Sequence, residues 1–375
     1  MATAYTPGLR VAKRTLVHKE RTLPLKGKVL VEQGAAVDPG DVVAETALPG
    51  DVHSVNVVNR LGIVASEIGQ YMLKQEGEPI VKGEPIAMAK GFFGLFKTEV
   101  HSPIDGTIES ASSVTGQVLL RTPPKPVQVK AFVKGTVASV LPEEGVTLEV
   151  RASYIQGIFG VGLETWGELA IAVQSPDDVL TPELITEEHR GKLVVGGSLA
   201  PYDAIEQARK VGVAGIIAGG MHDEDLKALL GFDLGVAITG QENIGVTVVV
   251  TEGFGRISMA QRTFDLLRSR DGALASLSAA TQIRAGVMRP EIIVPFDEEA
   301  SEESTDDQPS DHTLSEGDLV RCIRRPYFGR IGQVSGLPVE LTKVESETRV
   351  RVLEVTFGDS EKALVPRANV ELVET

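Results

Sequence analysis

The segment Val31–Val43 reads VEQGAAVDPGDVV, and Gln75–Ile86 repeats its pattern as QEGEPIVKGEPI. In both segments a glycine permits a tight turn and an apolar residue turns inward; a second glycine then precedes an acidic residue and the next strand. A third segment, Val100–Ile108 (VHSPIDGTI), places a Pro-x-Asp-Gly turn between two strands. Together with the short Val- and Ile-rich runs around them, these segments predict a compact N-terminal β-domain.

These residues resemble the barrel-sandwich hybrid domains of biotinyl and lipoyl carriers and the RnfC-like N-terminal module of the Rnf-complex C subunit. The likeness covers Leu25–Pro124. It implies a barrel-sandwich hybrid region, which we assign to residues 1–175. A carrier would present its acceptor lysine at a hairpin tip, where this chain has Lys90 and Lys97. Ordinary solvated lysines are the interpretation that we prefer.

The same hairpin contains a phenylalanine cluster made of Phe92, Phe93 and Phe96. Packing of these rings against a neighbouring strand or domain is the expected role. The functional alternative is an exposed patch that docks a partner or a second copy of the chain.

Residues 176–296 change to strands that alternate with helices. Pro201–Val211 places Ala204, Ile205, Ala208 and Val211 on one helix face, and Gly212 ends that helix. Further helices are predicted at Asp223–Leu230 and Met259–Arg270. This alternation predicts a small, mostly parallel α/β sheet with right-handed crossovers.

Ligands of such sheets bind beyond the carboxyl ends of the strands. The candidate ligand residues are therefore Gly219, Gly220 and His222 in one loop and Thr251 and Arg256 in another. Close-packed turns, a capping His222 and a local ion pair of Arg256 with Glu252 are the structural alternatives. The three acidic residues that follow His222 disfavour a phosphate ligand there.

The formal charge of −15 is concentrated in one run, Asp297–Asp311. This acidic, polar run predicts a solvated linker at residues 297–313, because it contains too little apolar surface to offset the entropy of ordering. An acidic mimic of nucleic acid is the alternative interpretation.

The C-terminal residues 314–375 resemble a KOW module, the SH3-like barrel of NusG-type elongation factors and several ribosomal proteins. The matching positions are Gly317, Asp318, Val320, Arg321, Phe328, Gly329, Gly332 and Val334. The resemblance implies contact with the transcription or translation machinery, either as a protein-docking barrel or through nucleic acid.

A local basic and aromatic patch supplies the candidate contact residues of this module. They are Arg321, Arg324, Arg325, Tyr327, Phe328 and Arg330, which are residue types that contact phosphates and stack on bases. The module has nine basic and ten acidic residues, so any binding that depends on these arginines alone is expected to be weak and salt-sensitive.

The single cysteine, Cys322, excludes disulfides, a thiolate zinc site and a cysteine-ligated iron–sulfur cluster. The six histidines lack metal-ligand spacing, and the sequence contains neither a signal peptide nor a long apolar run. We therefore expect a cytoplasmic protein with no metal, no cofactor and no membrane insertion.

The fold class expected from the sequence is a multidomain α/β plus β protein. The expected function is a non-enzymatic adaptor with protein partners, and with RNA, ribosome or RNA polymerase as partners of residues 314–375. The alternative is an accessory subunit or enzyme that binds a small molecule at Gly219–His222 and Thr251–Arg256. The sequence leaves catalysis undecided, leaning against it, and leaves homo-oligomer formation open.

Overall fold

The computed structural model describes residues 9–90, 97–231, 242–281, 288–296, 314–322, 326–327, 329–338, 341–343, 349–358 and 361–372. The described residues are mostly β, with 47% of them in strands, few helices and several sheets. This architecture agrees with the expected multidomain α/β plus β class. The predicted linker at residues 297–313 lies outside the described residues.

The strands of the first part are β1 (Val11–Thr22), β2 (Lys28–Val29), β3 (Ala36–Val37), β4 (Val42–Leu48), β5 (Val52–Asn56), β6 (Pro79–Ile80), β7 (Pro85–Lys90), β8 (Lys97–His101), β9 (Gly106–Ala111), β10 (Gln117–Arg121), β11 (Lys125–Lys130), β12 (Gly135–Leu141) and β13 (Gly145–Gln156). The middle part contains β14 (Phe159–Val161), β15 (Thr165–Ile171), β16 (Leu193–Val195), β17 (Gly215–Met221), β18 (Thr247–Phe254), β19 (Leu274–Ser278) and β20 (Glu291–Pro295). The last part contains β21 (Leu319–Cys322), β22 (Ile331–Gly336), β23 (Leu341–Lys343), β24 (Arg349–Phe357), β25 (Lys362–Pro366) and β26 (Val370–Leu372). The α-helices are α1 (Val57–Leu61), α2 (Ile68–Tyr71), α3 (Tyr202–Val211), α4 (Asp223–Leu230) and α5 (Gln261–Arg268).

The two half-repeats of the sequence adopt the same local structure. Gly34 and Gly77 both have φ of 85°, and the buried apolar residues that follow them are Val37 and Ile80. In each turn an acidic side chain accepts a backbone hydrogen bond from three residues earlier, at 2.8 Å for Asp41 and 3.0 Å for Glu84. The predicted turn-and-inward pattern is confirmed at both places.

The half-repeats belong to a larger duplication of whole β modules. Val37 pairs with Gly135 and Ile80 pairs with Gly106, while Ala44 pairs with Val129 and Ala87 pairs with Val100. Both hairpins carry their register shift at the same relative position, next to these alanines. We call β5–β10 the inner module, and β1, β3, β4, β11, β12 and the first half of β13 the outer module.

The inner module is inserted into the hairpin of the outer module. Strands β4 and β11 form that hairpin, and their last pair is Leu48 with Lys125. Residues 49–124, which contain the entire inner module, connect the two strands. The corresponding hairpin of the inner module is β7–β8, whose last pair is Lys90 with Lys97.

An eleven-stranded sheet joins the outer module to the middle part. Strands β15, β16, β17 and β18 are parallel neighbours, which confirms a parallel α/β core. The sheet then continues in antiparallel pairing through β19, β20 and β13, so it is larger and more mixed than the small parallel sheet expected. The predicted boundary at residues 175/176 separates β15 from β16, which are hydrogen-bonded neighbours.

The predicted helices of the middle part are confirmed, with α4 matching its predicted range and α3 and α5 slightly shorter. Helix α3 buries Ala204, Ile205, Ala208 and Val211, the four residues placed on one face by their spacing. Gly212 ends the helix in the left-handed conformation with φ of 83°, where a side chain would be strained. The last part forms a separate six-stranded antiparallel sheet around Val320, Val334 and Leu353.

Excision of residues 49–124, with Leu48 and Lys125 joined by a two-residue turn, is expected to leave the remainder folded. The physical reason is that the buried cluster of the inner module contains only residues within this segment, and neither the cluster of the outer module nor that of the middle part contains any of them. Cooperative thermal unfolding followed at the single tryptophan, Trp166, checks this. An aggregated or non-cooperative product would contradict it.

Candidate functional site

The structure brings the two predicted ligand loops together at the carboxyl edge of the parallel strands. Gly220 of β17 lies beside Gly253 of β18, and Met221 lies beside Phe254. The loops that contain His222 and Arg256 therefore leave the sheet as neighbours, as the alternation of strands and helices predicts.

The chain's own backbone fills the space above the two glycines. A Cβ atom at Gly219 would lie 2.2 Å from the carbonyl oxygen of Ile257, and one at Gly220 would lie 2.0 Å from that of Gly255. The N–H of Gly219 is also engaged, since it donates to the carbonyl of Gly197 at 2.7 Å. These glycines thus allow close packing of the loop after β18, which was the structural alternative for this turn.

The remaining three candidates at this edge do not converge on one point. His222 is exposed at the N-cap position of α4, but its side chain makes no capping hydrogen bond. Thr251 is buried, and its hydroxyl donates to the carbonyl of Ala218 at 3.4 Å. Arg256 is exposed and donates to the carbonyl of Asp177 at 3.4 Å.

A cluster of four charged side chains, three of them buried, lies beside these loops, and we call it the ion cluster. Arg321 contacts Glu252 at 2.5 Å and Glu371 at 2.9 Å, and Glu371 also contacts Arg289 at 2.6 Å. The side chains of Arg321 and Glu371 are 3% and 0% exposed. The second oxygen of Glu252 accepts the N–H of Ala260 at 3.1 Å, so both of its carboxylate oxygens have partners.

The ion cluster attaches the C-terminal sheet to the carboxyl edge of the parallel strands. Glu252 belongs to β18, whereas Arg321 and Glu371 belong to β21 and β26. The backbones meet as well, because a Cβ at Gly253 would lie 2.1 Å from the carbonyl oxygen of Gly329. The C-terminal part therefore occupies the edge where a ligand of the α/β sheet would enter.

The basic and aromatic candidates of the C-terminal part fall into two groups. Arg321 is buried in the ion cluster and does not reach the surface, so a partner's phosphate has no access to it in this arrangement. Tyr327 stacks on Phe357 with ring centroids 5.2 Å apart. Arg330 lies 4.1 Å from the centroid of Phe357 and 5.7 Å from that of Tyr327, and it pairs with Glu361 at 2.8 Å.

Several predicted residues lie outside the described residues, namely Phe92, Phe93, Phe96, Arg324, Arg325 and Phe328. Lys90 and Lys97 are described, and both are exposed at the end of the β7–β8 hairpin.

Sequence reasoning missed Glu252 as a partner of Arg321. The available signal was a single charged residue inside each of two strands that are otherwise uncharged, Thr247–Phe254 and Leu319–Cys322. Charged residues are almost never fully buried unless they are paired. That rule indicates a paired role for both residues, although it does not identify the partner.

The thiol of Cys322 is buried next to Arg321 in β21. Burial raises its pKa to about 12, so the reactive thiolate is scarce at neutral pH. Because Cys322 is the single cysteine of the chain, thiol labelling reports on the opening of the C-terminal sheet alone.

No family model and no curated protein matches this sequence. Among the helices of the described residues, none is long and apolar enough to cross a membrane. The residues that the structure describes also contain no group of three or more His, Cys, Asp or Glu side chains placed to hold a metal ion.

Replacement of Arg321 by Met is expected to weaken the attachment of the C-terminal sheet by about 3–5 kcal/mol, because it leaves Glu252 buried without its cationic partner. Cys322 follows Arg321 in β21, so a loss of about 3 kcal/mol in the stability of the closed strand corresponds to more than a hundredfold faster labelling of Cys322 by a thiol reagent at pH 8. The control Arg351→Met changes an exposed residue of β24 and is expected to label as slowly as the wild type. Equal labelling of both variants would contradict a stabilising role of the ion cluster.

Replacement of Gly220 by Ala is expected to destabilise the middle part by about 1–3 kcal/mol through overpacking, because the new methyl group would contact the carbonyl of Gly255. Urea unfolding followed by Trp166 fluorescence measures this loss. Gly69→Ala is the matched control, since a Cβ there meets no atom within 4 Å. A Gly220→Ala protein as stable as the control would show that the edge is open rather than packed.

Proposed function

We propose that this protein is a non-enzymatic adaptor that links macromolecular partners, one of them bound by the C-terminal part. In this proposal the N-terminal modules are barrel-sandwich hybrids and the C-terminal part is a KOW-like, SH3-type barrel. The partner of that barrel belongs to the transcription or translation machinery, as the resemblance implies.

The duplication of the β modules supports the hybrid assignment. In both modules the N–H of the turn glycine donates to a carbonyl of the equivalent strand, from Gly34 to Val137 at 2.8 Å and from Gly77 to Ile108 at 2.7 Å. Two half-repeats closed by such bonds are what the resemblance to carrier domains implies. The hairpin of the outer module carries the entire inner module, so a carrier's lysine-bearing tip has no counterpart there.

Two glycines and the strand order support the barrel assignment. Gly317 has φ of 98° and Gly329 has φ of 78°, conformations that favour glycine at the turns where the KOW pattern has it. A Cβ at Gly332 would lie 2.4 Å from a methyl group of Val355, so glycine allows β22 and β24 to pack closely. The strands pair antiparallel in the order β23-β24-β22-β21-β26, with β25 on β24.

The observation that carries the adaptor proposal is the stack of Arg330 on Tyr327 and Phe357. The Arg330 side chain keeps 37% of its surface exposed, although it is held by two rings and by Glu361. A guanidinium fixed on an aromatic platform is common in protein interfaces and in contacts with nucleic acid. Arg330 and Tyr327 therefore form the contact surface that we assign to the partner.

The alternative function, a small-molecule site at the sheet edge, has less support. The C-terminal part lies against that edge, and Glu252 is already paired with Arg321. A ligand at this edge would have to displace both the loop after β18 and the C-terminal part.

Pull-down from cells that express the full-length protein tests the adaptor proposal. The wild type is expected to retain RNA polymerase, ribosomes or RNA, and the double variant Tyr327→Ala/Arg330→Ala is expected to lose most of the retained material. The variant Arg351→Ala removes an exposed arginine of the same sheet and serves as the control for general loss of charge. Nuclease treatment separates contact through RNA from direct protein contact.

A wild-type protein that retains none of these partners would overturn the transcription or translation assignment. Equal retention by the double variant and by the wild type would move the contact away from the Arg330 surface.

A further inference from the structure

A cleft of about 470 Å³ separates the outer module from the main sheet, and nothing in the proposed adaptor surface uses it. Its lining comes from three places in the chain: the end of β1, the end of β11 with Phe132 two residues later, and the start of β15 with the residue before it. The lining residues are Glu20, Arg21, Thr22, Gln128, Val129, Lys130, Phe132, Glu164 and Trp166. The volume lies within the range of about 300–1,000 Å³ that is usual for ligand sites.

One wall of the cleft is the free edge of strand β11. Among the described residues this strand pairs with β4 alone, in the three-stranded order β11-β4-β2. Val43 directs its carbonyl to the β2 side, where it accepts the N–H of Leu30 at 2.9 Å. The backbone groups of successive residues point to opposite sides of a strand. The N–H and C=O of Ala44 therefore point to β11, where Ala44 pairs with Val129.

The same alternation turns the backbone groups of Pro126, Gln128 and Lys130 away from β4. The carbonyl of Lys130 confirms this direction, since it accepts a hydrogen bond from Arg21 Nε at 2.8 Å across the cleft. Within the described residues, no backbone group bonds with the outward N–H and C=O of Gln128. Pro126 has no N–H, so the open part of the edge is the stretch from Gln128 to Lys130.

Hydrogen bonds and a ring contact hold three other lining residues of the cleft in place, namely Arg21, Glu164 and Phe132. Arg21 makes a two-pronged contact with Glu164, at 2.9 and 2.7 Å, and its guanidinium lies 5.4 Å from the ring centroid of Phe132. Phe132 is fully buried with φ of 69°, which is uncommon for a bulky residue. The carbonyl of Phe132 accepts a hydrogen bond from the Ser276 hydroxyl at 2.5 Å, and this bond helps to hold the strained residue in place.

The recognition groups beside the free edge are a cation and an indole. The ammonium of Lys130 lies 5.3 Å from the ring centroid of Trp166. Lys130 is exposed, and no carboxylate within the described residues pairs with it. Trp166 is half-buried and presents a flat apolar surface to the same space.

We propose that this cleft binds an extended segment of a partner protein, which adds a strand to the edge of β11. The backbone of the segment bonds with Gln128, an acidic side chain pairs with Lys130, and an apolar neighbour packs on Trp166. Main-chain bonds to a sheet edge give such complexes their affinity, and flanking side-chain contacts give their specificity.

The length and charge of the cleft limit its occupant. At about 3.4 Å per residue, the open edge accommodates roughly three residues of an extended chain. The lining contains two acidic residues, Glu20 and Glu164, and two basic ones, Arg21 and Lys130, so it offers no excess of positive charge to the closely spaced phosphates of a nucleic acid. A short, extended and singly acidic peptide therefore fits better than RNA.

Trp166 makes the proposal directly measurable, because it is the single tryptophan of the chain. The probe is the capped hexapeptide acetyl-Thr-Val-Glu-Val-Thr-Val-amide, titrated into the full-length protein while Trp166 emission is followed. We expect a saturable change in emission. The same peptide with proline in place of its central valine cannot complete the strand pairing, and it is expected to bind at least tenfold more weakly.

Two variants of one residue separate backbone pairing from side-chain contact. Gln128→Ala keeps the outward N–H and is expected to bind like the wild type. Gln128→Pro removes that donor as well as the side chain, on an edge strand that already contains Pro126, and it is expected to lose at least tenfold in affinity. Unchanged circular dichroism and an unchanged urea unfolding midpoint, followed at Trp166, show in both variants that the fold is retained.

Lys130→Gln tests the charge contact. It is expected to lower the affinity for the glutamate-containing peptide severalfold. The affinity for the same peptide with glutamine in place of glutamate is expected to stay unchanged. Absence of any emission change at millimolar peptide would overturn the proposal, as would equal binding by Gln128→Pro and Gln128→Ala. An equal change with free glutamate would assign a simple anion site instead. None of these results depends on the Arg330 surface, so failure here leaves the adaptor proposal untouched.

Discussion

The long strand β13 is the constraint on which the rest of the structure depends. It pairs with β1 along most of its length, with β12 in its first half and with β20 in its second half. One continuous strand therefore belongs to both the outer module and the main sheet. The two parts cannot move independently without breaking that strand's hydrogen bonds, and this fixes the width of the cleft between β11 and Trp166.

The ion cluster gives the C-terminal part a similarly fixed place. Burying Arg321 between Glu252 and Glu371 has a desolvation cost, which only well-placed partners offset. The cluster thus specifies one docking position, and losing one of its members leaves a buried charge without its partner. It also determines which basic residues face a partner, because Arg321 is withdrawn from the surface whereas Arg330 remains on it.

Much of the local structure followed from the sequence. The spacing of Ala204, Ile205, Ala208 and Val211 gave the buried face of α3, and the half-repeats gave the turns at Gly34 and Gly77, because each of these patterns acts within a few residues. The alternation of strands and helices also predicted that the loops after β17 and β18 lie at one edge of the sheet. The sequence did not predict which groups fill that edge. The carbonyls that fill it, and Arg321, come from loops and strands that meet only in the folded chain.

The sequence by itself determined where the chain turns, which residues face inward and which segments form strands or helices. Only the tertiary structure decided the nesting of one module in the hairpin of another, the continuity of the sheet past residue 175, and the burial of Arg321. The physical reason is range: turn and periodicity preferences are set by neighbouring residues. The partner of a strand edge or of a buried charge is set by packing, and Glu252 lies 69 positions from Arg321.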